Sequence, residues 1–168
     1  KAALNDKLDI NAELSSGDRG DSATIGANYR MTDSYSLYKN FTLSTDRTDN
    51  DKKIFTIGQR KTVSDQLKVF TEHQFTHETT QSGVGHTFGL DYQVSKELIA
   101  TLSVQSARLD KVDTGLTDRD AFSVGLSYKE DATDASTRLE YRKDTGDLED
   151  TEQWVTTNKL NYRVNPSL

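Results

Sequence analysis

Val84 to Ser106, VGHTFGLDYQVSKELIATLSVQS, reads as two alternating runs that meet at a short turn. His86, Phe88, Leu90, Tyr92 and Val94 share one side of the first run, with Thr87, Gly89, Asp91 and Gln93 between them. After Ser95-Lys96-Glu97, Leu98, Ala100, Leu102 and Val104 resume the apolar series, separated by Ile99, Thr101, Ser103 and Gln105. Successive side chains of a strand point to opposite faces, so a period of two predicts strands. The stretch is an antiparallel hairpin with one apolar and one polar face.

The same pattern repeats on both sides of it. Upstream it predicts strands over Lys7–Ser15, Ser22–Met31, Tyr35–Ser44, Ile54–Thr62 and Leu67–Thr76. Downstream it predicts Ala121–Lys129, Ala135–Arg142 and Gln153–Val164. That makes about ten strands of roughly 9–12 residues, the length a tilted strand needs to cross hydrocarbon. The connections are expected to alternate between short turns and longer acidic loops, of which LDKVDTGLTDRD is the longest. Just before the short turns a tetrad recurs: Gly26-Ala27-Asn28-Tyr29, Gly89-Leu90-Asp91-Tyr92 and Gly125-Leu126-Ser127-Tyr128. Lys159-Leu160-Asn161-Tyr162 keeps its last three positions in kind, and Gly58 begins a version that has lost the tyrosine.

Composition narrows the class. The 168 residues are 33% hydrophobic and 29% charged, with a mean hydropathy of -0.76. No window holds the roughly 18 apolar residues of a membrane helix, so any spanning is by strands, whose alternation hides half their apolar content from a hydropathy average. There is no cysteine, hence no disulfide framework or thiolate metal site. A net charge of -6 with no basic stripe argues against a nucleic-acid partner. The chain opens without Met, carries no secretory signal and stops at Asn165-Pro166-Ser167-Leu168, where earlier hairpins turn. One β-barrel segment over 1–168, cut from a longer chain, is expected.

On these residues the chain resembles the transmembrane barrels of Gram-negative outer-membrane proteins, porin-like or the barrels of large repetitive surface proteins. The resemblance is one of pattern over nearly the whole chain. It implies an all-β, antiparallel up-and-down meander, closed as a barrel or forming an arc of a larger one, in the bacterial outer membrane. Short turns would face the periplasm and long loops the outside. Outer-membrane lipid and lipopolysaccharide would be its partners, with further strands, a plug or partner subunits completing it. Tyr29, Tyr92, Tyr128 and Tyr162, all on the apolar face, match the interfacial aromatic girdle of such barrels. Phe41, Phe55, Phe75, Phe88, Phe122, Tyr141 and Trp154 make a less tidy opposite rim.

Placing the apolar set outward leaves Glu13, Arg30, Arg60, Lys68, Glu72, Asp91, Arg138, Glu140, Arg142, Lys159 and Arg163 lining the interior. Burying so many ionisable groups dry costs several kcal/mol each, so the interior is expected to be wide and hydrated. Mixed signs predict weak charge selectivity. Gly26, Gly58, Gly89 and Gly125 point inward at one level, as relief for curvature. Lys39, Gln59, Lys61, His73, Thr156 and Asn158 fall on the apolar face, against the pattern.

The function expected is a polar, water-filled conduit, porin-like or for export. The alternatives are a barrel that only anchors a surface protein, and a soluble or extracellular sheet of an adhesin or fibre. Catalysis is not expected: His77, Glu78 and Ser82 are sequence neighbours rather than a held triad. No cofactor motif appears. His73, His77 and His86 are taken as rim residues rather than metal ligands, with His86 expected opposite Phe75. The acidic loops lack EF-hand spacing.

Overall fold

The computed structural model describes residues 2–17, 20–48, 50–148 and 150–163. They form one antiparallel sheet in which every strand pairs with its neighbours in sequence. The strands are β1 (Ala2–Asn5), β2 (Leu8–Gly17), β3 (Gly20–Thr32), β4 (Tyr35–Asp46), β5 (Asp51–Thr62), β6 (Leu67–Glu78), β7 (Gln81–Gln93), β8 (Leu98–Lys111), β9 (Gly115–Glu130), β10 (Thr133–Gly146) and β11 (Asp150–Tyr162). The ten expected strands are present, and the short β1 adds an eleventh. Among the described residues β1 and β11 do not pair, so the sheet is open. The expected final turn at 165–168 lies outside the described residues.

The loop expectation needs correction. LDKVDTGLTDRD is mostly strand: β8 runs through to Lys111 and β9 begins at Gly115, leaving Val112–Thr114 as the turn. Thr79–Thr80 alone joins β6 to β7, while the opposite end of the sheet has Val63–Gln66 and Val94–Glu97. Loop length therefore does not alternate. A strand continues for as long as the neighbouring backbone pairs with it, whatever its side chains. The side-chain pattern marks only where the apolar face stops, and at one end the ladders run well past that point.

The sheet has no second layer and almost no core. Among the described residues the buried hydrophobics are Leu109 and Ala121, at 8% and 9% exposure, and no large side chain is fully buried. One face is sheltered and polar, as in β9, where Thr117, Ala121 and Ser123 are buried. The other is exposed and apolar: on the same strand Phe122, Val124, Leu126 and Tyr128 all stand open. An apolar face of this extent is unstable against water and calls for lipid or protein to cover it.

The recurring tetrads are placed with a constant offset. Following ladder partners from Gly26 through Asn40 to Thr56, Gly58 lies two residues further along β5. From Gly58 through Glu72 to Thr87, Gly89 is again two residues on, and from Gly89 through Ser103 to Ser123, Gly125 is two more. The tyrosines keep the same offset: Tyr92 leads to Ala100 and Leu126, two residues before Tyr128, which leads to Ala135 and Leu160, two before Tyr162. One residue per strand, ~3.3 Å against a strand spacing of ~4.8 Å, corresponds to a lean of about 35°, the tilt at which strands close barrels. In a sheet leaning by that angle each series stands at one height.

Candidate functional site

The sheltered face carries the charge. Glu13 on β2, Arg30 on β3, Arg60 on β5, Lys68 and Glu72 on β6, Asp91 on β7, Arg138, Glu140 and Arg142 on β10 and Lys159 on β11 all occupy it, as their ladder partners require. Arg163 follows the end of β11, where its amide donates to the Ala132 carbonyl at 2.8 Å.

Some of these residues meet and others stand apart. Glu140, at 6% exposure, accepts from Arg138 and from Arg142, each at 2.5 Å, so one carboxylate is held between two guanidiniums two residues either side of it. Next along, Asp144 takes a two-pronged contact from Arg119 at 2.7 Å through both oxygens, with Lys111 at 3.9 Å. Such fork geometry is the strong form of the ion pair, and here it ties β9 to β10. At the same end Lys52 pairs with Glu78 at 2.6 Å. Asp91 accepts from the Thr101 hydroxyl at 2.8 Å. Arg30, Arg60, Lys68 and Lys159 form no ion pair among the described residues.

Two aromatic residues on this face were missed by sequence reasoning. Tyr38 sits opposite Gly58 and Phe70 opposite Gly89. A methyl group added at either glycine would run into the ring, so the far end of each ring lies against a glycine of the next strand. Covering an edge glycine with a neighbouring ring is a recognised stabilising device in sheets. The Tyr38 hydroxyl donates to Glu72 one strand further on. Between the rings stands Arg60, its guanidinium carbon 5.8 Å from the Tyr38 centroid and 5.7 Å from that of Phe70. The signal was available: Tyr38 has the parity of Asn40, not of Leu37 and Phe41, and Phe70 that of Lys68 and Glu72.

The exposed face holds Tyr29, Tyr92, Tyr128 and Tyr162. Their surroundings are mixed in polarity: the Tyr92 hydroxyl reaches Gln66 at 3.4 Å, and that of Tyr128 donates to Glu130. The other aromatics on this face are more orderly than the sequence suggested. Phe41, Phe55 and Phe75 are successive ladder partners, and so, through Val104, are Phe88, Phe122, Tyr141 and Trp154.

Several polar residues that break the apolar pattern have found partners on the same face. Asn158 accepts from the Thr137 hydroxyl at 2.7 Å, and Gln59 from the Tyr35 hydroxyl. His73 pairs with His86 and not with Glu or Asp; their Nδ1 atoms are 2.5 Å apart and the rings meet edge to face. This corrects the expected register, since Phe75 lies opposite Val84 and the turn is centred one residue earlier. His77 stands beyond them, opposite Ser82. No group of three or more potential metal ligands occurs among the described residues.

No protein-family model matches the chain, and no curated protein sequence does. Solved structures do. A bacterial polysaccharide outer-membrane secretin superposes with a TM-score of 0.68 at 12% identity, over 96% of this chain and 67% of that one. The porin KdgM in complex with disordered oligogalacturonate gives 0.61 at 16% identity, over 98% and 88%. OmpT of Vibrio cholerae, expressed in the outer membrane, gives 0.60 at 11% identity, over 94% and 61%. The fold is therefore that of the outer-membrane up-and-down β-barrels, here with the sheet left open.

Proposed function

We propose that this chain is part of the wall of a bacterial outer-membrane barrel whose interior is a water-filled conduit, with its sheltered face to water and its exposed face to lipid and lipopolysaccharide. The single observation that carries this reading is the division of a one-layer sheet into a charged face and a greasy one. Water inside removes most of the cost of holding Arg60, Lys68, Arg138 and Lys159 away from bulk solvent. Hydrocarbon outside covers Phe122, Val124 and Leu126, with Tyr29, Tyr92, Tyr128 and Tyr162 as the headgroup girdle on the short-turn side. The secretin and the porin among the similar structures support a passage for polar solutes, and saccharides in particular. No chemical step is assigned to the chain. Further strands, from a longer chain or a partner subunit, or pairing of the two sheet edges, would complete the wall.

The test has two stages. The full-length protein should require detergent for extraction and migrate differently on a gel before and after heating. Reconstituted in a planar bilayer, it should pass current. Extraction without detergent would remove the membrane reading, and a silent bilayer would leave an anchor barrel in place of a conduit.

A further inference from the structure

The positive charge of the polar face is unevenly spent. On β9 and β10, Arg119 is paired with Asp144, and Arg138 and Arg142 share Glu140. On β3, β5 and β6, Arg30, Arg60 and Lys68 are exposed and have no ion pair among the described residues. Glu72 and Asp91, the latter directly opposite Lys68, form no ion pair with them and accept instead from the Tyr38 and Thr101 hydroxyls. Arg30 and Arg60 lie on one ladder row with Ser36 between them, so no bulky side chain separates the two guanidiniums. The row continues from Arg60 to Phe70 and then to Gly89.

This free charge coincides with the two rings. Tyr38 and Phe70 stand two strands apart, ~10 Å, with Arg60 on the strand between them and within reach of both. The far end of each ring rests against a glycine, and both rings stay half-buried rather than fully covered. A half-buried ring still offers apolar surface to a ligand, and a guanidinium held against it keeps outer N–H groups for a carboxylate.

We infer that Tyr38, Arg60 and Phe70, backed by Arg30 and Lys68, form a binding step for a carbohydrate chain that carries carboxylates. The apolar C–H faces of the sugar rings lie on the aromatic faces, and the carboxylates take charge-assisted hydrogen bonds from Arg60 and its cationic neighbours. A neutral saccharide would lose the second set of contacts and a compact inorganic polyanion the first. The inference rests on the conduit reading for the orientation of this face. The site itself is read out by binding, independently of current.

The experiment measures binding of fluorescently labelled tetragalacturonate to the detergent-solubilised full-length protein, by polarisation, with unlabelled cellotetraose and tripolyphosphate as competitors. Tetragalacturonate is expected to bind, with cellotetraose and tripolyphosphate each at least about tenfold weaker. Arg60→Gln should weaken it by about tenfold, and Arg60→Lys by less, since a point charge replaces the planar fork. Phe70→Leu, which still covers Gly89, should cost several-fold, and so should Tyr38→Leu, which still covers Gly58. Each variant is first required to show the parent's heat-dependent gel migration. Equal competition by cellotetraose, or tripolyphosphate matching the uronate with Phe70→Leu silent, overturns the proposal. Current without uronate binding leaves the conduit and removes this site; uronate binding without current does the reverse.

Discussion

The hydroxyl of Thr137 donates to the side-chain oxygen of Asn158 across the β10–β11 pair, 2.7 Å away, on the face otherwise given to Leu, Val and aromatic side chains. In hydrocarbon an amide oxygen without a donor costs far more than one with a donor, so the two residues are a unit. Thr137→Val should destabilise the folded protein by about 1–2 kcal/mol, because it strands Asn158. Adding Asn158→Leu should return most of the loss. A double-mutant cycle from urea unfolding in lipid vesicles measures the coupling, and additive effects would show that the pair does not face lipid.

Gly89→Ala should be costly and Gly125→Ala mild. At Gly89 the added methyl meets the Phe70 ring, whereas at Gly125 the closest atom is the Thr137 carbonyl oxygen at 3.4 Å. Overpacking of the first kind costs about 1–3 kcal/mol. Unfolding midpoints of the two variants decide the order, and Phe70→Ala in the Gly89→Ala background should recover stability.

Asp46 ends β4 and organises the turn that follows. Its carboxylate accepts from the Thr48 hydroxyl and amide, both at 2.7 Å, and from the Asn50 amide at 3.1 Å. The Thr48 hydroxyl, first, and the Asn50 and Thr48 amides hold its pKa down at about 2, against an ordinary 3.8. A lowered folded pKa means the ionised form is the one that orders the turn. That contribution is complete above about pH 4 and is lost as pH falls toward 2. Hydrogen exchange at the Thr48 and Asn50 amides, corrected for intrinsic rates, should lose protection over that window. Asp46→Asn should abolish the pH dependence.

Glu140 is shared between two guanidiniums and offsets one of their two charges. Under the conduit reading, Glu140→Gln frees Arg138 and Arg142 and should shift the reversal potential in a salt gradient toward anions. The same change should lower stability by a smaller amount than in a dry interior, because water screens the released charges. An unchanged reversal potential would place Glu140 away from the path of the ions.

Much of this was legible in the chain. The alternation around His86–Val94 and Leu98–Val104 gave the strands and their faces correctly, because in a one-layer sheet nothing else competes to decide which side is apolar. The tetrads ending in Tyr92 and Tyr128 flagged a repeating height before any register was known. Two things were hidden. The extension of β8 to Lys111 and of β9 back to Gly115 depends on backbone pairing, to which Asp110 and Asp118 contribute no recognisable pattern. The pairing of Tyr38 with Gly58, and of Phe70 with Gly89, depends on register, which a single sequence leaves free until the turns are fixed. A two-residue turn at Thr79–Thr80 also moved His86 from Phe75 to His73.

The steady displacement of Gly26, Gly58, Gly89 and Gly125 cancels the lean of the strands, so a level on the polar face runs diagonally across the hydrogen-bonded rows. Residues that face each other across a ladder, such as Arg30 and Ser36, do not share a depth in the membrane, while groups several strands apart do. Gly58→Ala and Gly89→Ala therefore alter the same level of the polar face, although they lie two strands apart.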